Sequence, residues 1–367
     1  MEMVNIKQVT AFLEEKAPLA WQENYDNCGL LIGNSQELIS NILVCLDVTE
    51  AVLEEAIQKN CNLIVAHHPL IFSGIKKITG SNFVERIIVK AIKHNIAIYA
   101  IHTNLDNVSE GVNAKIAEKL NLVNTRILVP KQGTLYKLST YCPHASVEKI
   151  SDALFANGAG HIGNYDRCSF QTTGTGSYRA LEGANPTIGT VNRQHFEPET
   201  KIEVVFPIYL KNQIIKILKE VHPYEEVAYE LFELKNDLLN VGAGCVGELK
   251  KPMSVDAFLA YIKDKMQLDC VRYTTFNKPI KTVAVCGGSG SFLLADAIKN
   301  KADAFITGDF KYHEFFNAEN QLLIADIGHY ESEKFTIELI SKWLSEKFAN
   351  FAVIFTETNT NPVKYYI

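Results

Sequence analysis

In the first and last thirds of the chain, short unbroken runs of apolar residues alternate with stretches whose apolar positions recur every three to four residues. Unbroken runs of four to eight read as strands covered on both faces, and the longer period reads as amphipathic helix. The first third is thus predicted to contain a helix over Val9 to Lys16, a strand Asn41 to Asp47, a helix Glu50 to Lys59, a strand Leu63 to Ala66, a helix Val84 to His94 and a strand Ile96 to Ile101. The last third gives a strand Thr282 to Cys286, a helix Phe292 to Asn300, a strand Ala304 to Thr307, a short helix Tyr312 to Phe316, a strand Leu322 to Asp326 and a helix Glu333 to Lys347. Such alternation predicts a parallel or mixed sheet covered by helices, with ligands at the carboxyl ends of its strands.

The two thirds also match each other. Ile42 to His68 parallels Val283 to Asp309, and the next strand ends in His102-x-x-x-Asp106 in one copy and His329-x-x-x-Glu333 in the other. The expectation is a pair of related α/β lobes whose strand ends meet in a shared cleft. Between them the order changes to strand Leu138 to Cys142, helix Val147 to Asn157, strands Arg167 to Thr172 and Lys201 to Phe206, helix Ile214 to Val221 and strand Ala228 to Leu234. That βαββαβ order is ferredoxin-like, with the polar, glycine-rich run Thr172 to Asn192 as a long loop between the central strands. The expected division is residues 1–128 for the first lobe, 129–239 for the inserted domain and 240–367 for the second lobe.

Composition narrows the class. With 47% hydrophobic and 21% charged residues the chain is globular, and no apolar run approaches a membrane span. The opening Met1-Glu2-Met3-Val4-Asn5 lacks the basic and apolar regions of a signal peptide, so a cytoplasmic protein is expected. Eight cysteines are scattered without a CxxC pair and read mainly as small buried hydrophobes. A net charge of −6 argues against a surface built mainly for nucleic-acid phosphates.

The candidate chemistry lies at the strand ends. His67 and His68 would point to opposite faces of a regular strand, but Pro69 ends the ladder and a turning backbone can aim both rings into one cleft. His329 and Glu333, four apart at a helix start, share one face, and Glu333 can bridge two cations with its two oxygens. Asp106 adds a second carboxylate, and nitrogen and oxygen donors together suit a first-row divalent metal. His67, His68, Asp106, His329 and Glu333 are therefore expected to surround two divalent cations, zinc first, with iron, manganese or nickel as alternatives. His102 is open between ligand, orienting partner and proton shuttle. Asp309 and His313 are acid/base or supporting candidates, His102 and His313 being those expected to move protons. The turn Gly287-Gly288-Ser289-Gly290-Ser291 reads equally as a phosphate cradle or a plain tight turn.

Together, Asp26-Asn27-x-Gly29-Leu30, Ala66-His67-His68-Pro69, His102-Thr103-Asn104-Leu105-Asp106, Gly308-Asp309 and Gly328-His329-x-x-x-Glu333 resemble the family of GTP cyclohydrolase I type 2 homologues, also called the NGG-interacting-factor-three-like family. The resemblance implies two cations in an α/β two-lobe domain, with His68 and Asp106 on one, His67 and His329 on the other, and Glu333 between them. It further implies that the insertion is similar to PII and CutA signalling proteins and that the chains assemble as hollow hexamers. The family's name implies a small-molecule or nucleotide substrate, with GTP hydrolysed to formate and 7,8-dihydroneopterin triphosphate. The competing class is a non-catalytic metal-binding or regulatory scaffold that senses a small molecule through the insertion; a membrane partner is not expected and a nucleic acid is the weakest option.

Overall fold

The computed structural model describes residues 3–366. The chain divides into two compact units: residues up to Pro130 with those from Asn240 onward, and Lys131–Leu239. The first unit holds two sheets. In one, the parallel strands Ile42–Cys45, Leu63–Ala66 and Ala97–Ala100 lie side by side, with Gly29–Ile32 antiparallel beside the last. In the other, the parallel strands Ile280–Ser289, Ala304–Gly308 and Leu323–Asp326 lie side by side, with Arg272–Tyr273 antiparallel beside the last. In each sheet a strand that precedes the parallel three in sequence closes the edge beyond the third. This shared topology is the physical form of the sequence correspondence.

Local sequence explains the elements. Leu63–Ala66 and Ala97–Ala100 are buried at every position, so only unbroken apolar runs suit them. The helix Phe83–Lys93 starts where the Asn82 side chain accepts the Glu85 amide, and it buries Ile87, Ile88 and Ala91 on one face. Burying the two isoleucines contributes roughly 1.5–3 kcal/mol each.

Three expectations need correction. The lobes do not follow the chain as 1–128 and 240–367: Val123–Lys131 adds to the second sheet beside Leu238–Met253, and Val353–Phe355 adds to the first, parallel to Ile42–Cys45. Each sheet takes its outer strand from the other half of the sequence, and a short strand carries no local mark of its partner. The helix expected over Glu333 to Lys347 is two helices, His329–Glu333 and Thr336–Lys347. In Lys131–Leu239 the elements follow the order βαββαβ, with the sheet order second, third, first, fourth. The expected loop from Thr172 is largely strand: Ser169–Arg179 pairs with Gln194–Pro207 out to Arg179 opposite Gln194. Ser169–Arg179 is mostly exposed, so it lacks the apolar alternation that marks a half-buried strand.

No helix among the described residues is long and apolar enough to cross a membrane. All eight cysteines are free, five of them buried.

Candidate metal centre

The strand Leu63–Ala66 ends at His67 and His68, and the backbone turns there so that both rings enter one space, their centroids 4.9 Å apart. His102 follows Ala97–Ala100 and immediately precedes the four-residue helix Thr103–Asp106. From the second sheet, Leu323–Asp326 leads to the helix His329–Glu333, which presents His329 and buried Glu333 to the same space. Three overlapping groups of donor atoms, each within 4.8 Å, result: His67 with Asp106 and Glu333; His68 with His329 and Glu333; and His67 with His68 and His102.

The imidazoles are aimed by what they donate to. His67 Nδ1 donates to the Ile101 carbonyl at 2.8 Å, His68 Nδ1 to Asp47 Oδ1 at 2.7 Å, His102 Nδ1 to Asp26 Oδ1 at 2.9 Å and His329 Nδ1 to Asp309 Oδ2 at 2.7 Å. A carbonyl or carboxylate can only accept, so each Nδ1 carries the proton and each Nε2 is left for the cleft. This is the arrangement found around metal-ligating histidines. His67 Nε2 and Asp106 Oδ1 are buried and have no hydrogen-bond partner, a costly state that a bound cation relieves. Glu333 divides its oxygens: Oε1 lies 3.8 Å from His67 Nε2, and Oε2 lies 3.0 Å from His68 Nε2 and 3.2 Å from His329 Nε2.

Charge follows burial and pairing. Burial pushes the His67 pKa down despite Glu333. Burial also opposes charge on His68 and His329, but Asp47 and Glu333 raise His68 to about 10, and Glu333 and Asp309 raise His329 to about 9. Burial and then the Glu333 charge push Asp106 well up, while the three histidines hold Glu333 well below the usual carboxylate range against its burial.

The structure brings His67, His68, His102, Asp106, His329 and Glu333 together, but it groups them differently from the sharing the resemblance implies. Asp106 lies 3.6 Å from His67 Nε2, and His329 Nε2 lies 3.3 Å from His68 Nε2. His313, expected to move protons, is exposed and lies against the Tyr312 and Phe316 rings, away from the residues lining the cleft. The glycine turn is no phosphate cradle. All three of its glycine amides are spent on the protein: Gly287 donates to Asn113 Oδ1, Gly288 to Ser332 Oγ and Gly290 to Thr307 Oγ1. Gly288, at φ +63, has another role, because a Cβ there would lie 2.4 Å from Glu333 Oε1.

Sequence reasoning missed the roles of two residues. Asp47 was read only as a strand end, yet it orients His68. Asp26, in the motif Asp26-Asn27-x-Gly29-Leu30, is a buried carboxylate that accepts from His102 and from the Thr103 amide and hydroxyl. A lone Asp following an irregular polar stretch offers no periodic signal. Cys28 donates to it at 3.1 Å.

Fold and site together define an α/β protein whose strand ends assemble a histidine and carboxylate centre able to hold a metal ion. The chain matches, over residues 4–362, the family model described as Duf34/NIF3 (NGG1p interacting factor 3). It is 38% identical over 369 residues to the GTP cyclohydrolase 1 type 2 homolog of Bacillus subtilis, with 99% of each chain covered, and 35% identical over 368 residues to that of Staphylococcus aureus strain COL, covering 99% of this chain and all of the relative. Among solved structures, a Bacillus cereus protein related to NIF3 superimposes with a TM-score of 0.86 at 34% identity, covering 100% of both chains. The chain belongs to the Duf34/NIF3 family.

Proposed function

We propose that this protein is a divalent-metal-dependent hydrolase of a nucleotide or related small molecule, with two cations held between the lobes. The observation that carries the reading is the common orientation of four imidazoles, each with Nδ1 bound to a fixed acceptor and Nε2 left for the cleft. His67, Asp106 and one Glu333 oxygen would hold one cation; His68, His329 and the other oxygen would hold the second. The donor set suits zinc first, and iron, manganese or nickel after it. When bound, such ions polarise a substrate oxygen and lower the pKa of water towards ~7.

The chain's own residues then have distinct tasks. Asp26 fixes His102 through Nδ1, leaving Nε2 to take a proton from one group and return it to another. Gly288 leaves the space in which the Glu333 carboxylate lies. The name borne by the curated relatives suggests GTP as substrate, in which case formate and 7,8-dihydroneopterin triphosphate appear together.

A second reading, a ligand-sensing scaffold, is favoured by a cavity of about 990 Å3 in Lys131–Leu239, lined by Tyr141, Glu199, Lys201 and Tyr224 among others. With its βαββαβ order this unit is read as a ferredoxin-like, PII/CutA-like domain, and the assembly as a homohexamer.

The test is to purify the protein with its own metals, count them, and incubate wild type and Glu333→Gln with a metabolite pool followed by mass spectrometry. Two cations per chain, with a metabolite consumed by wild type alone, is the expected result. A fully metallated protein that consumes nothing moves the assignment to the scaffold; fewer than two cations removes the dinuclear centre.

A further inference from the structure

The cleft is larger than its donor cluster requires. Its volume is about 710 Å3, within the range of small-molecule sites. Three large aromatic side chains line it while remaining mostly in solvent: Tyr25 is 67% exposed, Phe72 51% and Phe292 67%. Exposed aromatics scattered singly need no explanation. Here they surround one cleft, and two of them form a continuous surface: the Tyr25 and Phe72 rings lie 6.3 Å apart and only 31° from parallel, and the Phe72 ring lies 6.3 Å from that of His102.

The charge of the cleft is as informative. Among the described residues that line it there is no Lys or Arg, whereas Glu23, Asp106 and Glu333 contribute carboxylates. Behind the imidazoles stand Asp26, Asp47 and Asp309. These carboxylates outnumber the positive charges of two divalent ions. Enzymes that act on polyphosphates surround them with Lys, Arg and amide donors as well as metal. The glycine turn at this cleft has its amides engaged by Asn113, Ser332 and Thr307. Lys76 and Lys77, in the segment after Phe72, are exposed and outside the lining.

From the aromatic wall and the missing basic groups, we infer that the cleft recognises a planar, nitrogen-bearing heterocycle of low net charge, such as a purine or pterin base, stacked on Tyr25 and Phe72, and that it does not select for a polyphosphate. The inference rests on the metal-hydrolase reading and narrows its substrate class. Stacking on an aromatic face is tolerant of ring identity because every such base has a π surface. Hydrolysis of a polar bond in that ring would then occur beside the imidazoles, with any phosphate tail left in solvent.

Equilibrium binding of guanine, guanosine, pterin, GTP and inorganic triphosphate to the zinc-reconstituted full chain tests this, with metal content measured on the same samples. The expected result is that guanosine or pterin binds at least as tightly as GTP at physiological salt and that inorganic triphosphate does not compete. Phe72→Ala and Tyr25→Ala should each weaken binding about tenfold with metal content unchanged, as loss of one stacking face predicts. Tyr25→Phe should restore it. Both positions are exposed, so folding is not at stake. Three outcomes overturn the inference: competition by triphosphate, a GTP advantage of more than about tenfold that disappears in Lys76→Ala/Lys77→Ala, or no binding of any planar compound. A wild-type metal content below two is a separate failure, of the dinuclear centre alone; aromatic dependence of guanosine binding is then still scored on whatever form is obtained.

Discussion

The two sides of the centre share Glu333 and differ in almost everything else. The inner side, His67 with Asp106, is walled by the core: the His67 side chain is fully buried and its ring is aimed by a backbone carbonyl of the next strand. The outer side, His68 with His329, is partly open, with 39% of the His329 side chain exposed, and both rings are aimed by carboxylates. Burial pushes the pKa of the inner imidazole down, whereas Asp47, Asp309 and Glu333 make the outer pair more basic. The contrast teaches that one carboxylate serves two environments: a rigid inner position set by the fold and an adjustable outer one set by side chains. On the two-cation reading proposed above, a retained inner cation beside an exchangeable outer one is the expected behaviour.

The strongest break is at the shared residue. On the two-cation reading proposed above, Glu333→Ala should abolish metal binding, because neither side keeps three donors, and metal analysis after dialysis checks it. Retention of both ions would show that Glu333 belongs to neither side. Next come the single-side variants. Chelator stripping of the wild type should show a fast and a slow phase; His329→Ala should leave only the slow one and His67→Ala only the fast one, each with about one cation per chain. Identical kinetics in both variants would erase the distinction between inner and outer. Asp309→Asn should act more gently, since it removes only the charge that orients His329. The outer affinity should fall about 10- to 100-fold with the slow phase unchanged. Asp309 sits at φ +59, a backbone region that Asn tolerates, so the variant should fold.

This difference between the sides also marks what the sequence could reveal. The residues that converge on the centre were legible because they end apolar runs: His67-His68 after Leu63 to Ala66, and His329-x-x-x-Glu333 after Leu322 to Asp326. A ligand position tied to a strand end has a local signature. Which ligand meets which did not, because pairing depends on how two lobes turn their strand ends towards each other, and the resemblance implied the opposite grouping. The orienting residues were harder still. Asp26 reaches His102 across 76 positions and Asp47 reaches His68 across 21, distances no periodic pattern spans. The exchanged strands Val123–Lys131 and Val353–Phe355 were hidden for the same reason: a strand's partner is fixed by non-local hydrogen bonds. The surrounding core, by contrast, followed almost directly from the apolar runs and their caps.

The smallest effect tests whether the outer side leans on the chain's C-terminal segment. The Glu55 carboxylate accepts from Lys59 Nζ at 2.8 Å, from the Thr356 hydroxyl at 2.6 Å, from the Glu357 amide at 2.8 Å and from the Thr358 hydroxyl at 2.8 Å. It thereby ties the residues after Val353–Phe355 to the helix Glu50–Gln58, and Thr360 beyond them donates to Asp47, the carboxylate behind His68. Burial opposes its charge, but these donors outweigh burial and bring its pKa down to about 2 from the ordinary 4.5. A pKa depressed by folding stabilises the folded chain fully above the unfolded value, and that contribution drains away as pH falls from 4.5 towards 2. Glu55→Gln should therefore lower the melting temperature of the metal-free protein by about 2–6 °C at pH 7, the size expected of losing charge-assisted hydrogen bonds in a unit this large. The gap between variant and wild type should narrow as the pH is taken down through 4.5 towards 2. In the metal-loaded protein at neutral pH, the fast chelation phase should quicken by less than in Asp309→Asn, while the slow phase stays fixed. A gap in melting temperature that is the same at pH 7 and pH 3 would assign Glu55 a packing role without a charged clamp, and a change in the slow phase would mean that the C-terminal segment supports the inner side as well.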